Sequence, residues 1–140
     1  MKAIFNVLPV PASRPRITRW STYFPKRYSQ FKKDMEVVLN DIHVVPTDSL
    51  LSVKIEFYVP MPKSWSKKKR KERLHTYCDN NADLDNYTKA LLDSLEGKYF
   101  NNDKQVVQTD HLRKIYAEEP CIVYIQEEIN NNEPIKDRLI

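Results

Sequence analysis

Three features of the sequence predict a single α+β domain, a small mixed β-sheet packed with two or three helices. Leu51, Val53, Ile55, Phe57 and Val59 alternate with Ser52, Lys54, Glu56 and Tyr58, the period of a strand with one buried face. Two other stretches carry apolar residues at helical spacing. Strands and helices do not alternate as regular βαβ units, which argues against a doubly wound sheet. A chain of 140 residues has the size of one domain and buries about two-thirds of its unfolded surface.

The elements follow in order. Residues 3–7 alternate and read as a short strand. Pro9, Pro11 and Pro15 forbid regular structure, so residues 8–25 read as a long basic loop. A loop of that length inside a domain is usually functional or disordered. Tyr28, Phe31, Met35, Val38, Leu39 and Ile42 give an amphipathic helix over 27–42. The alternating strand 51–59 follows and stops at Pro60-Met61-Pro62. Ser64 is placed to cap a short basic helix over 65–74, and 75–82 reads as a loop. A second amphipathic helix starts at Asp83, with Leu84, Tyr87, Ala90, Leu91 and Leu95 inward, and Gly97 is its stop. Strands are expected over 106–116 and 121–126. Residues 1–128 make the domain and 129–140 a polar tail.

Composition removes several classes of function. Gly97 is the only glycine, so the glycine-rich phosphate loops of nucleotide and dinucleotide enzymes are absent and no nucleotide cofactor is expected. Cys78 and Cys121 are the only cysteines, too few for a disulfide framework, which fits a reduced, cytoplasmic setting. His75 and Cys78 make half of a zinc-like pair, and no second half exists. No stretch approaches the roughly 18 apolar residues that span a bilayer, and the N-terminal residues are too polar for a signal peptide. No membrane partner is expected.

The net charge is +4, but its distribution is uneven. Lys2, Arg14, Arg16, Arg19, Lys26, Arg27, Lys32 and Lys33 occupy residues 1–33 without one acid. Lys63, Lys67, Lys68, Lys69, Arg70, Lys71 and Arg73 stand against Glu72 alone. Acids gather instead over 79–110 and again from Glu118. Arg14, Arg16, Arg19, Lys67, Lys68, Lys69, Arg70, Lys71 and Arg73 are therefore candidate contacts to a polyanion. A solvated helix face explains residues 67–71 equally well. Trp20, Tyr23, Phe24, Tyr28 and Trp65 tilt the choice toward nucleic acid, because rings stack on unpaired bases.

Asp83-Leu84-Asp85-Asn86-Tyr87-Thr88-Lys89 carries the chemistry. Asp83 and Asp85 fall at a helix N-terminus, where the backbone favours negative charge. Lys89 lies one turn after Asp85, and Asp93 continues that stripe. Asp103 arrives just before the strand at Val106. If that strand packs beside the helix N-terminus, the three aspartates converge, and a hard cation such as Mg²⁺ relieves their repulsion. Each has an ordinary explanation too: Asp83 as a helix cap, Asp85, Lys89 and Asp93 as a surface ion-pair ladder, Asp103 as a turn residue.

The order Asp83-Leu84-Asp85-Asn86, Lys89, Leu91-Leu92-Asp93-Ser94-Leu95 and Phe100-Asn101-Asn102-Asp103-Lys104-Gln105-Val106 resembles the RusA family of Holliday junction resolvases. Pro9-Val10-Pro11-Ala12-Ser13-Arg14-Pro15-Arg16 is similar to that family's N-terminal segment. The resemblance covers roughly residues 4–126. It implies a homodimeric endodeoxyribonuclease that needs Mg²⁺, with Mn²⁺ as a substitute, and nicks branched DNA (four-way junctions) in symmetric pairs. On that resemblance Asp83, Asp85 and Asp103 are metal ligands and catalytic, with Lys89 as a fourth catalytic residue. Asn102 stands where members often have a first acid of a pair, and Ala12-Ser13 where many have glycine or lysine. Two other readings stay open: a non-catalytic nucleic-acid-binding protein, and a general Mg²⁺ nuclease acting on flaps or single strands.

Overall fold

The alternation over residues 51–59 becomes the centre of the sheet. In a computed structural model describing residues 1–140, β4 (Leu51–Pro60) buries every second side chain. It is flanked by β6 (Cys121–Glu128), antiparallel, and by β5 (Val106–Ala117), parallel. β1 (Lys2–Phe5) pairs antiparallel with the far side of β6, giving the order β1-β6-β4-β5. The architecture is α+β, with one mixed sheet and three helices.

Period decides which face is covered. Val53, Ile55, Phe57, Ile122 and Tyr124 point to one side and are buried. Against them pack Tyr28, Phe31, Met35 and Leu39 from α1 (Lys26–Asn40), and Tyr87, Ala90, Leu91 and Leu95 from α3 (Leu84–Leu95). Their spacing of three and four residues is the inward stripe of a helix. Phe57 stacks on Tyr87 at 5.4 Å between ring centroids, which ties the middle of β4 to the start of α3.

Three local expectations need correction. The segment 8–25 is not wholly irregular: β2 (Arg16–Ile17) and β3 (Thr22–Tyr23) pair as a small hairpin. Pro9, Pro11 and Pro15 all precede it and Pro25 follows it, so no proline interrupts its hydrogen bonds. The basic helix α2 runs Lys67–Arg73 and its cap is Ser66, whose hydroxyl accepts from the Lys69 N–H at 3.1 Å. Ser64 lies two residues before that cap, inside the turn that the Trp65 N–H closes on the Pro62 carbonyl. A 3-10 turn over Asp103–Gln105 was not anticipated. Gly97 does follow α3, at φ +81, a left-handed conformation that glycine adopts without steric cost.

The other sheet face carries no helix. There the Glu56 carboxylate accepts from Arg113 Nε at 2.6 Å and from the Tyr58 hydroxyl at 2.9 Å, and it meets His111 Nε2 at 3.0 Å. Burial opposes its charge, but the bonds from His111, Tyr58 and Arg113 outweigh it and hold the carboxyl below its ordinary range. A depressed carboxylate contributes stability above its unfolded value, about 4.3, and loses it as pH falls through the folded value. Acid unfolding of Glu56→Gln should therefore be flatter across that window than that of the unsubstituted chain. Denaturant midpoints at stepped pH test this, and parallel curves would refute it.

Candidate functional site

The approach to α3 is built from the edge of β5. The chain leaves α2 through His75, at φ 61, and runs beside β5. His75 N–H donates to the Tyr116 carbonyl, Tyr116 N–H to Thr76, and Cys78 N–H to Lys114. One cation then fastens the loop that follows. The Lys114 ammonium donates to the Asn80 side-chain oxygen at 2.7 Å, the Asn80 carbonyl at 3.1 Å and the Ala82 carbonyl at 2.6 Å. Those acceptors use all three of its protons. The Asn80 amide reaches on to the Tyr87 hydroxyl at 3.0 Å. Asp79 accepts from Tyr116 at 2.9 Å and from Arg73 at 3.0 Å. Those two bonds hold its carboxyl below the usual range. The loop over 79–82 is thereby pinned immediately before the Asp-x-Asp pair.

Asp83 is the N-cap residue of α3 by backbone conformation. Its carbonyl accepts from the Asn86 and Tyr87 N–H groups. Its carboxylate makes no capping bond, so the ordinary explanation for this side chain does not hold. Asp85, in the first turn, is exposed as well. Both carboxylates lack a hydrogen-bond or ion-pair partner, whereas Lys89 pairs with Asp93 at 3.3 Å.

Asp103 is held just as firmly, but elsewhere. The buried Gln105 side chain accepts from the Asn101 and Asn102 N–H groups and donates to the Thr47 and Ser49 carbonyls, all within 2.9 Å. Asn102 caps the turn, and the Asp103 N–H donates to Glu96 at 3.0 Å. Glu96 is the residue after α3. Asp83 and Asp103 therefore stand at opposite ends of a helix of 12 residues, about 18 Å at 1.5 Å per residue. No group of three acids, histidines or cysteines within one chain is arranged to hold a metal ion. The packing that would make the three aspartates converge does not occur inside a single chain, because the strand Asp103 leads into starts beside the C-terminal end of α3.

The basic residues divide into two groups. Arg70 donates to the Pro62 carbonyl at 2.9 Å and meets Glu118 at 3.5 Å. Arg73 lies over Trp65 and Tyr116 and pairs with Asp79. Both hold the fold together. Lys67, Lys68 and Lys71 are exposed without a partner, and Lys69 lies over Trp65. Arg14, Arg16 and Arg19 are exposed on and before the hairpin. The segment leading into the hairpin is tied to the site helix, since the Ala12 N–H donates to the Asn86 carbonyl at 2.9 Å. Between them lies a cleft of about 450 Å³ that includes Arg14, Lys32, Asn86, Lys89 and Asp93. Lys32 was not singled out from the sequence. Its position one turn after Tyr28 on α1, where it covers Phe24 and Tyr28, was the available signal. A larger cavity, about 620 Å³, lies against the uncovered sheet face between Tyr58, Tyr77 and Arg113 and contains no acid.

A family model of the endodeoxyribonuclease RusA matches residues 6–126. The chain belongs to the RusA endodeoxyribonuclease family. That span contains the hairpin, α2, both aspartates of α3 and the Asp103 turn. The chain is also similar to YqaN of Bacillus subtilis (strain 168), an uncharacterized protein, at 34% identity over 84 residues. The match spans 57% of this chain and 58% of YqaN. No helix is long and apolar enough to cross a membrane.

Replacing Lys114 by Met leaves the Asn80 and Ala82 carbonyls without their donor. Hydrogen bonds to charged groups contribute about 1.5–3 kcal/mol each at most, and Lys114 is only half-buried, so a total loss near 2 kcal/mol is expected. Amide exchange should quicken over 79–85 and stay unchanged over 101–105. Equal quickening in both segments would show that Lys114 does not act through this loop.

Proposed function

We propose that the chain is a divalent-metal-dependent endodeoxyribonuclease that resolves four-way DNA junctions as a homodimer. The observation that carries this reading is the state of Asp83 and Asp85: two exposed carboxylates at one helix N-terminus, in the family's motif, with no cation of the chain assigned to either. Such a pair suits a hard cation with oxygen ligands, Mg²⁺ or Mn²⁺. When bound, that ion supplies Lewis-acid stabilisation of the phosphoryl oxygens and a water of lowered pKa. The chain's own residues do the rest. Lys114 and Asn80 keep the loop before the pair from moving. Lys89 lies in the cleft with Arg14 and Lys32, where a phosphate would meet positive charge. The product ends expected are a 5′-phosphate and a 3′-hydroxyl.

Asp103 enters through symmetry. One chain keeps it about a helix length from Asp83, so a site using all three acids needs two chains. In a twofold dimer with antiparallel α3 helices, Asp103 of the partner subunit would approach Asp83 and Asp85. A four-way junction has the same approximate twofold symmetry, and two such sites would place paired nicks. The exposed cations give affinity that falls steeply with salt.

A non-catalytic nucleic-acid-binding protein is the second reading. In its favour stands the fact that one chain alone assembles no three-ligand group.

Subunit mixing separates the two readings. Asp83→Asn and Asp103→Asn should each abolish Mg²⁺-dependent nicking of a synthetic four-way junction while still binding it. Unfolded together and refolded, the two variants should regain about a quarter of the unsubstituted sites, because half of the dimers are mixed and each mixed dimer keeps one intact site. Those dimers should give single nicks. No recovery on mixing would place all three acids in one subunit, and an unsubstituted chain that binds the junction without nicking it would establish the binding protein.

A further inference from the structure

Five aromatic residues lie among the basic blocks, and the fold engages three of them. Tyr28 is in the core, Phe24 lies against Tyr28 beneath the Lys32 ammonium, and Trp65 packs edge-on against Tyr116 at 5.0 Å. Tyr23 is half-exposed on β3. Trp20 is 86% exposed at the tip of the β2–β3 hairpin, with Ile17 also exposed one turn-width away.

An exposed indole on a mobile loop would mean little. This tip is built. The Thr18 hydroxyl accepts from the Trp20 and Ser21 N–H groups and donates to the Ser21 carbonyl, and the Thr18 N–H donates to that carbonyl at 2.8 Å. The Arg19 guanidinium lies 5.2 Å from the Trp20 ring. Arg16 lies on the stem and Arg14 two residues before it, and residues 1–33 contain no acid. A phosphate-gripping element needs cations alone. This one also presents two large apolar side chains to water, at a cost in solubility that a flat apolar ligand face would offset. A flat apolar face inside a dense field of phosphates is an unstacked nucleobase.

We infer that the β2–β3 hairpin is a probe for unstacked bases, with Trp20 as its stacking platform and Arg14, Arg16 and Arg19 as its phosphate contacts. The inference rests on the reading of the chain as a junction nuclease and adds the means of recognition. The segment leading into the hairpin is bonded at Ala12 to Asn86 in the first turn of α3, which anchors the approach to the hairpin beside the helix that carries Asp85. Continuous duplex offers no unstacked base and gains nothing from Trp20. A four-way junction offers such bases at its branch point.

The test measures binding in EDTA, so that cutting does not interfere. A four-way junction, a matched linear duplex and an open-centred duplex with four unpaired bases are titrated with the unsubstituted chain, Trp20→Ala and Trp20→Phe. Trp20→Ala should weaken binding to the junction and the open duplex by roughly five- to a hundred-fold, the range one stacked base contributes. Binding to the linear duplex should change less than twofold, and Trp20→Phe should fall between. In Trp65→Phe, where Trp20 is the only tryptophan, fluorescence should be quenched by the junction and the open duplex and not by the linear duplex. Equal weakening on all three DNAs would reduce Trp20 to a general contact and overturn the inference. Unchanged binding would overturn it too, as would a loss of oligomer mass in Trp20→Ala, which would assign the tip to protein contact. The unsubstituted chain's nicking of the junction in Mg²⁺ is read separately, so the failure of the nuclease reading remains distinct.

Discussion

The parallel pairing of β4 with β5 is the constraint on which the rest depends. Antiparallel neighbours can be joined by two residues, but parallel ones require the chain to return the full length of the sheet. Here the return runs from Met61 to Gln105 and carries α2, the loop before Asp83, α3 and the turn at Asp103. The three aspartates, Lys89 and the basic helix all lie in that one connection. α3 is the leg that travels back along the sheet, and its inward stripe of Tyr87, Ala90, Leu91 and Leu95 is what keeps it there. Because it spans the return, its two ends belong to two ends of the sheet. The first aspartates are tied to the later part of β5 through Lys114. The third is tied to the start of β4 through Gln105 and Ser49.

Positive charge in this chain does two jobs, and composition alone does not separate them. Arg70, Arg73, Arg113 and Lys114 each satisfy carboxylates or carbonyls of the fold. Lys67, Lys68 and Lys71 satisfy none, and neither do Arg14 and Arg16. A run of basic residues such as 67–73 is therefore half framework and half free surface. Arg73 lies against both Trp65 and Tyr116, with a planar ion that packs on rings as a lysine would not. Long-range attraction of a polyanion belongs to the unpaired set, since a cation already paired contributes little field beyond its partner.

The elements with strong periodicity were legible: β4 by its alternation, α1 and α3 by their stripes. The elements held by side chain–backbone bonds were not. The cap of α2 depends on which of two serines reaches an N–H three residues on, and Ser66 does so at Lys69. The β2–β3 hairpin has only two residues per strand, so it leaves no periodic trace, and Thr18 rather than glycine organises its tip. The aspartates themselves were legible as residues, through the motif order. Their separation was not, because sequence distance gives no direction: eight positions from Leu95 to Asp103 lead equally well toward either end of α3. The Gly97 turn and the Gln105 clamp choose the far end. Gln105 illustrates the limit most plainly. It belongs to the motif that carries the family resemblance, and its own task is to tie four backbone groups together so that Asp103 is presented outward.

The separation has an electrostatic consequence. Two carboxylates in one helical turn repel each other moderately in water, and the helix N-terminus offsets part of that. A third acid brought into direct contact would add several times as much in a partly desolvated site. At about 18 Å, beyond a Debye length of about 8–10 Å, the third adds almost nothing. The chain therefore folds without bringing three mutually repelling acids to one place. In the dimeric reading, the repulsion is met only when two copies come together, and the cation that relieves it also favours their association. Metal binding, dimer formation and alignment on a twofold DNA branch then share one free energy. In that reading a single chain drifting along ordinary duplex would hold two of a site's three ligands, and so would lack the means to cut it.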